Sequence, residues 1–190
     1  MAQPSPDLEA ELRQLIAHFD AAAAKEGVRP AVYIVGAGSL VLEGLTTRAT
    51  RDLDFICEER GKLFENQILP GGLHSHRVPA GLVSMPIGWR ERSREARELG
   101  AQHVRVFIPD IHDRLVDKLS RGLATDWQDI AAVLEARPAG VSVAVLAERA
   151  NSLLENPTST VFDREDFRQG FERLRKLAGE KGLSVPALRS

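Results

Sequence analysis

One cysteine, Cys57, one tyrosine and two tryptophans stand in a chain of 190 residues. A lone cysteine excludes an intrachain disulfide and a thiolate-rich zinc cluster, and the reducing cytoplasm is the expected setting. No apolar run approaches the roughly 18–20 residues that a membrane-spanning helix needs. The opening stretch, MAQPSPDLEAELRQ, holds neither a basic segment nor an apolar one. No secretory leader and no membrane partner are therefore expected. An excess of charge of one sign is missing too: Lys+Arg number 25 against Asp+Glu 27, for a net charge of −2. That excludes a surface that grips nucleic acid all round and leaves room for a local basic groove. What is present is a globular composition, 43% hydrophobic and 27% charged, with a mean hydropathy of −0.19. A chain of this size can bury a core without disulfides or a structural metal.

Leu12, Leu15, Ile16 and Phe19 recur at helical spacing, which predicts an amphipathic helix over 8–26. The apolar run Ala31–Val35 predicts a buried strand, broken sharply at Gly36-Ala37-Gly38-Ser39, with a short helix over 39–44. Residues 51–57 (RDLDFIC) alternate, so a strand there puts Asp52 and Asp54 on one face and Leu53, Phe55 and Cys57 on the other. A helix is expected over 58–68, a hairpin or two short strands over 74–87 around Pro79-Ala80-Gly81, and a charged helix over 89–99. Val104, Val106 and Ile108 mark a further strand. Helices follow at 111–121, 126–136, 142–155 and 163–179. Strands first and helices last predict an α+β fold. The expected organisation is a domain over 1–136 with a helical C-terminal extension, 137–190, packed on it.

The segment that carries chemistry runs from Val35 to Phe55. A strand ends in Gly38-Ser39, and Asp52-x-Asp54 follows after twelve residues. Glycine lets backbone approach a phosphate closely, and free N–H groups with a serine hydroxyl can donate to it. Two carboxylates on one strand face can hold divalent cations, which neutralise a triphosphate and activate an attacking hydroxyl. Phosphoryl and nucleotidyl transfer need mainly positioning and charge neutralisation, and this pattern supplies both.

These residues resemble the minimal nucleotidyltransferases of the DNA polymerase β-like superfamily, whose signature is Gly-Gly/Ser followed at this distance by acid-hydrophobic-acid. Arg48 to Asp54 (RATRDLD) resembles, more closely, bacterial members related to the AbiEii and MenT toxins of toxin–antitoxin systems. Lys118-Leu119-Ser120-Arg121 and Asp126-Trp127-Gln128-Asp129 fit the helical part of that pattern, and residues 85–92 (MPIGWRER) resemble another segment of it. The resemblance spans roughly residues 31–136. It implies a nucleotidyltransferase-like mixed sheet flanked by helices, and Mg²⁺ (or Mn²⁺) held by Asp52 and Asp54. It also implies an NTP bound by Gly38, Ser39, Arg48, Arg51 and Arg121, with Lys118 on the phosphates and Asp126 as a further acid. The partners it implies are the NTP, a tRNA whose 3′ end accepts the nucleotide, and a cognate antitoxin protein. The wider superfamily carries a third carboxylate on a neighbouring strand. The expected neighbour, residues 103–108 (HVRVFI), has no acid within it.

Plainer readings stand beside these. Gly36-x-Gly38 after a strand could open a dinucleotide-binding turn, although Val41 occupies the position of its last small residue. Lys118 and Arg121 could be surface positions on a helix whose core stripe is Leu115, Leu119 and Leu123. Asp126 could be a helix N-cap with Asp129 three residues on. His74-x-His76 reads as a strand face rather than a zinc site. Three functions stay open: NTP-dependent transfer to RNA, a catalytically weak nucleotide-binding or protein-partner module, and transfer to a small molecule or a protein side chain.

Overall fold

The computed structural model describes residues 6–46, 52–57, 67–68, 74–136, 140–158 and 162–189. By contacts the chain divides into two compact units, Met1–Pro79 with Ser93–Pro109, and Ala80–Arg92 with Asp110–Ser190. The contacts gather the helices from Asp110 onward into the second of these units.

The first unit is α+β. Helix α1 (Pro6–Glu26) precedes β1 (Ala31–Val35), the short α2 (Gly36–Leu42), β2 (Asp52–Cys57), β3 (Gln67–Ile68), β4 (His74–Arg77), β5 (Arg94–Glu95) and β6 (Arg105–Ile108). These form one mixed sheet in the order β3-β4-β2-β1-β6-β5. β1 runs antiparallel to β2 and parallel to β6, and β2 runs parallel to β4. Leu12, Leu15, Ile16 and Phe19 of α1 are buried against Val32, Ile34, Leu53, Phe55, Val106 and Ile108. The Phe19 and Phe55 rings meet at 4.9 Å. One sheet face is thus filled by α1. The period of two places Asp52, Asp54, Tyr33 and Phe107 on the other, where Tyr33 and Phe107 stack at 5.1 Å. Asp20 ties α1 to the lead-in of β6: its Oδ1 accepts from the backbone N–H of Gln102, His103 and Val104 at 2.9, 2.6 and 2.8 Å.

Three expected elements differ. No hairpin forms over 74–87: β4 stops at Arg77, and one 3-10 turn, Ala80–Leu82, follows Pro79, a residue with no N–H to give to a ladder. The charged stretch 89–99 is not one helix. Arg94 and Glu95 pair instead with Ile108 and Phe107 across β5 and β6, and buried Ala96 anchors them. The Arg94–Glu98 ion pair forms all the same, at 2.6 Å. The helix expected over 58–68 lies largely outside the described residues, and its last two positions are strand.

The second unit is helical: α3 (Ile111–Arg121), α4 (Ala124–Ala136), α5 (Val143–Glu155) and α6 (Arg164–Glu180), with α3 packed against the other three. Asp110 caps α3 through the His112 N–H at 2.9 Å, and Ser142 and Asp163 cap α5 and α6. α3 ends at Gly122, which takes the left-handed conformation (φ 61°) that glycine adopts without strain. Leu123 falls beyond that break and is 57% exposed, so the stripe is Leu115 and Leu119 without it. Trp127 N–H reaches back to the Leu123 carbonyl at 3.1 Å. α4 therefore starts earlier than expected, and Asp126 lies inside its first turn rather than at its N-cap. Phe167, Phe171 and Leu174 of α6 are fully buried, and Trp89 and Trp127 are buried as well. No helix among the described residues is long and apolar enough to cross a membrane.

Candidate functional site

Two groups of polar residues stand out, one in each compact unit. The first is on the sheet. β1 ends at Val35 and the chain turns at once into α2, with Gly36 at φ 65°. That turn lies tight against β2. A Cβ on Gly36 would come within 2.5 Å of Asp54 Oδ2, and one on Gly38 within 2.7 Å of Leu53 Cδ1. Glycine is needed at 36 twice over, for its backbone angle and for the approach of the Asp54 carboxylate. Ser39 is fully buried, and its hydroxyl donates to the Gly36 carbonyl at 2.8 Å, which holds the turn closed. The antiparallel β1–β2 pair removes the dinucleotide-binding reading, since that fold needs a parallel strand after the glycine turn and its helix.

Asp52 and Asp54 share the open face of β2, as the alternation requires. The strand beside them is the finding that sequence reasoning missed. β6, the expected neighbour, pairs with β1; β2 pairs on its other side with β4. The register sets Asp52 opposite His74 and Asp54 opposite His76, while Ser75, opposite Leu53, is fully buried. His76 Nδ1 lies 4.0 Å from Asp52 Oδ1 and 3.8 Å from Asp54 Oδ1. The two imidazoles meet edge to face at 6.1 Å. Asp52, His74 and His76 each offer a ligand atom, all within 4.8 Å of one another, and this group could hold a metal ion. The carboxylate pair alone has the oxygen chemistry that Mg²⁺ takes. The reading of His74-x-His76 as a strand face holds, but that face is the one the acids occupy. Its period of two was the available signal; no residue in the intervening chain announces that β4 pairs with β2.

The second group is in α3 and α4. Lys118 is 2% exposed, and its ammonium donates to Asp129 Oδ2 at 2.7 Å and Asp126 Oδ1 at 3.3 Å. Arg121 donates through Nε and Nη2 to the two oxygens of Asp126, at 3.2 and 2.7 Å, and through Nη1 to Asp117 at 2.8 Å. Asp117 also accepts the Ser84 N–H at 2.8 Å. Burial pushes the Asp117 carboxyl above the usual carboxylate range, against the pull of the Arg121 guanidinium. The surface-helix reading of Lys118 is thus overturned, because charge pairing draws it inward between α3 and α4. Asp117 carried no sequence signal of its own. A second buried acid, Asp113, takes a two-pronged contact from Arg92 at 2.9 Å on each arm, and burial raises its carboxyl as well. Beside Arg121 lies an open cavity of about 420 Å³, lined in part by Trp127, Asp166 and Arg173, with the Arg173 guanidinium 4.1 Å above the Trp127 ring.

The structure therefore brings Gly38, Ser39, Asp52 and Asp54 together in the first unit and Lys118, Arg121 and Asp126 together in the second. Arg48 and Arg51 lie outside the described residues. Comparison with curated proteins and with solved structures returned no match. Residues 9–161 match the family model described as "Nucleotidyltransferase of unknown function (DUF6036)", and the chain belongs to that nucleotidyltransferase family.

Proposed function

We propose that the protein transfers a nucleoside monophosphate from an NTP to an acceptor hydroxyl and releases pyrophosphate. The observation that carries this reading is the Asp52/Asp54 pair on the open face of β2 with the Gly36–Ser39 turn packed against the same strand, in a chain of a nucleotidyltransferase family. Asp52 and Asp54 would hold Mg²⁺ or Mn²⁺, which when bound offsets triphosphate charge and acidifies the acceptor hydroxyl. Gly38, whose missing Cβ lets the turn pack on Leu53, and Ser39, bonded back to the Gly36 carbonyl, would shape the turn that receives the triphosphate. By the resemblance alone, Lys118 and Arg121 would supply positive charge for the phosphates; within their own unit both pair with Asp126, and Lys118 also with Asp129. Arg48 and Arg51 add to the nucleotide contacts.

The finer reading rests on the resemblance to AbiEii- and MenT-type toxins. On it, the acceptor is the 3′ end of a tRNA, the protein is the toxin of a toxin–antitoxin pair, its partner is the antitoxin, and the setting is the bacterial cytoplasm. A second reading has its own support: β4 carries histidines beside Asp52 and Asp54, where an acid would help activate an acceptor. On that reading the protein binds nucleotide without fast turnover. Incubation with α-³²P-labelled NTPs, a divalent cation and tRNA separates the two. Label joined to tRNA supports transfer, and NTP binding without label supports the binding module.

A further inference from the structure

We propose that Asp52, His74 and His76 form a seat for a divalent transition ion of the zinc class (Zn²⁺, Co²⁺, Ni²⁺), occupied without nucleotide. The argument starts from donor chemistry. Mg²⁺ takes oxygen ligands and keeps much of its water. Imidazole nitrogen favours zinc-class ions, whose affinity for mixed nitrogen and oxygen sites is far higher. Two imidazoles and a carboxylate are a set that zinc sites use.

The backbone builds this set. Four parallel pairs in succession, Asp52 with His74, Leu53 with Ser75, Asp54 with His76 and Phe55 with Arg77, fix the register of β2 against β4. Val78 N–H continues the ladder to the Phe55 carbonyl at 2.8 Å, and the fully buried Leu53 and Ser75 pin the opposite face. A slip by one residue would bury the histidines and expose Ser75, so the register is strongly specified. Two donors on one tetrahedral ion at 2.0–2.2 Å stand about 3.4 Å apart. The 4.0 Å between His76 Nδ1 and Asp52 Oδ1, and the 3.8 Å to Asp54 Oδ1, close to that value by small rotations of half-exposed side chains.

The seat shares Asp52 with the transfer site proposed above and rests on that site's geometry. It is read from ion binding without nucleotide, so failure of either proposal leaves the other standing. The test is calorimetric titration of the full chain, stripped with a chelator, with ZnCl₂ and separately with MgCl₂. One equivalent of Zn²⁺ should bind at least about a hundredfold more tightly than Mg²⁺. His74→Asn and His76→Asn should each weaken Zn²⁺ by at least the roughly tenfold that loss of an outer-shell partner costs, and leave Mg²⁺ unchanged. Asp52→Asn, at an exposed position and close in shape, should weaken Zn²⁺ even if the β4 variants fail to fold. Co²⁺ should give the intense visible absorption of a low-coordinate nitrogen-bearing site in the wild type and lose it in Asp52→Asn. Equal affinity for Zn²⁺ and Mg²⁺, or Zn²⁺ affinity unmoved by Asp52→Asn and by whichever histidine variants fold, would overturn the proposal.

Discussion

A single methyl group at residue 36 tests how the turn and the Asp54 carboxylate are joined. Gly36 sits at φ 65°, and its Cβ would lie 2.5 Å from Asp54 Oδ2 and 3.3 Å from Asp54 Cβ. Gly44 has the same φ and nothing within 4 Å of its Cβ position, so it isolates the cost of the backbone angle. Gly44→Ala should destabilise by about 1–2 kcal/mol, the penalty of a left-handed alanine. Gly36→Ala carries that penalty as well. The Oδ2 clash can be relieved by turning the Asp54 side chain off its rotamer, at about 0.5–1.5 kcal/mol. The Cβ–Cβ approach cannot be relieved that way. Gly36→Ala should therefore exceed Gly44→Ala by about 1 kcal/mol in urea unfolding. The larger effect should be on function: with its carboxylate turned away, the protein should lose divalent-dependent NTP binding by at least about tenfold, the equivalent of 1.4 kcal/mol. In an Asp54→Ala background the excess over Gly44→Ala should shrink, which a double-mutant cycle reads directly. Equal costs for Gly36→Ala and Gly44→Ala, with NTP affinity unchanged, would refute the packing of this turn against Asp54.

Lys118→Ala leaves two buried carboxylates without their shared cation, and the helical unit should lose about 3–5 kcal/mol; a loss of activity at full stability would show instead that the lysine works mainly on substrate. Gly38→Val places a branched side chain where even a Cβ lies 2.7 Å from fully buried Leu53, so a cost of about 1–3 kcal/mol is expected in urea unfolding, with weaker NTP binding by calorimetry. For Asp20, burial raises the carboxyl, but the N–H groups of Val104 and His103 outweigh it and hold it below the usual carboxylate range. A lowered folded value stabilises above the unfolded value and is lost as pH falls through the folded one. Asp20→Asn should thus cost about 1–2 kcal/mol at pH 7 and progressively less below about pH 4, and a pH-independent cost would contradict that.

Much of the fold was legible because periodicity carries it. Leu12, Leu15, Ile16 and Phe19 at helical spacing, and Leu53, Phe55 and Cys57 at period two, marked their buried faces. The helices from residue 111 onward were found to within a residue or two. Misreadings came where tertiary pairing overrides local pattern. Arg94 and Glu95 look helical in isolation, yet two ladder pairs to β6 hold them extended. Leu123 continues the spacing of Leu115 and Leu119, but Gly122 ends the helix first. The candidate site divides the same way. Gly38, Ser39, Asp52 and Asp54 were readable because they are close in sequence and tied by one turn. His74 and His76 were not assigned to the site, because only the parallel pairing of β4 with β2 brings them there, and strand order is not written in local spacing. Lys118 showed its pattern but not its ion-pair partners, since Asp126 and Asp129 reach it from the next helix.

The central claim is nucleotidyl transfer at the Asp52/Asp54 face, and label position tests it most directly. Wild type and Asp54→Ala, each confirmed as folded, are incubated with Mg²⁺, cell extract as a source of acceptors, and NTPs labelled at either the α- or the γ-phosphate. The account predicts that label from the α-phosphate becomes attached to an acceptor with the wild type alone, and that γ-label leaves as pyrophosphate. Equal transfer by Asp54→Ala, or attachment of γ-label in place of α-label, would contradict it.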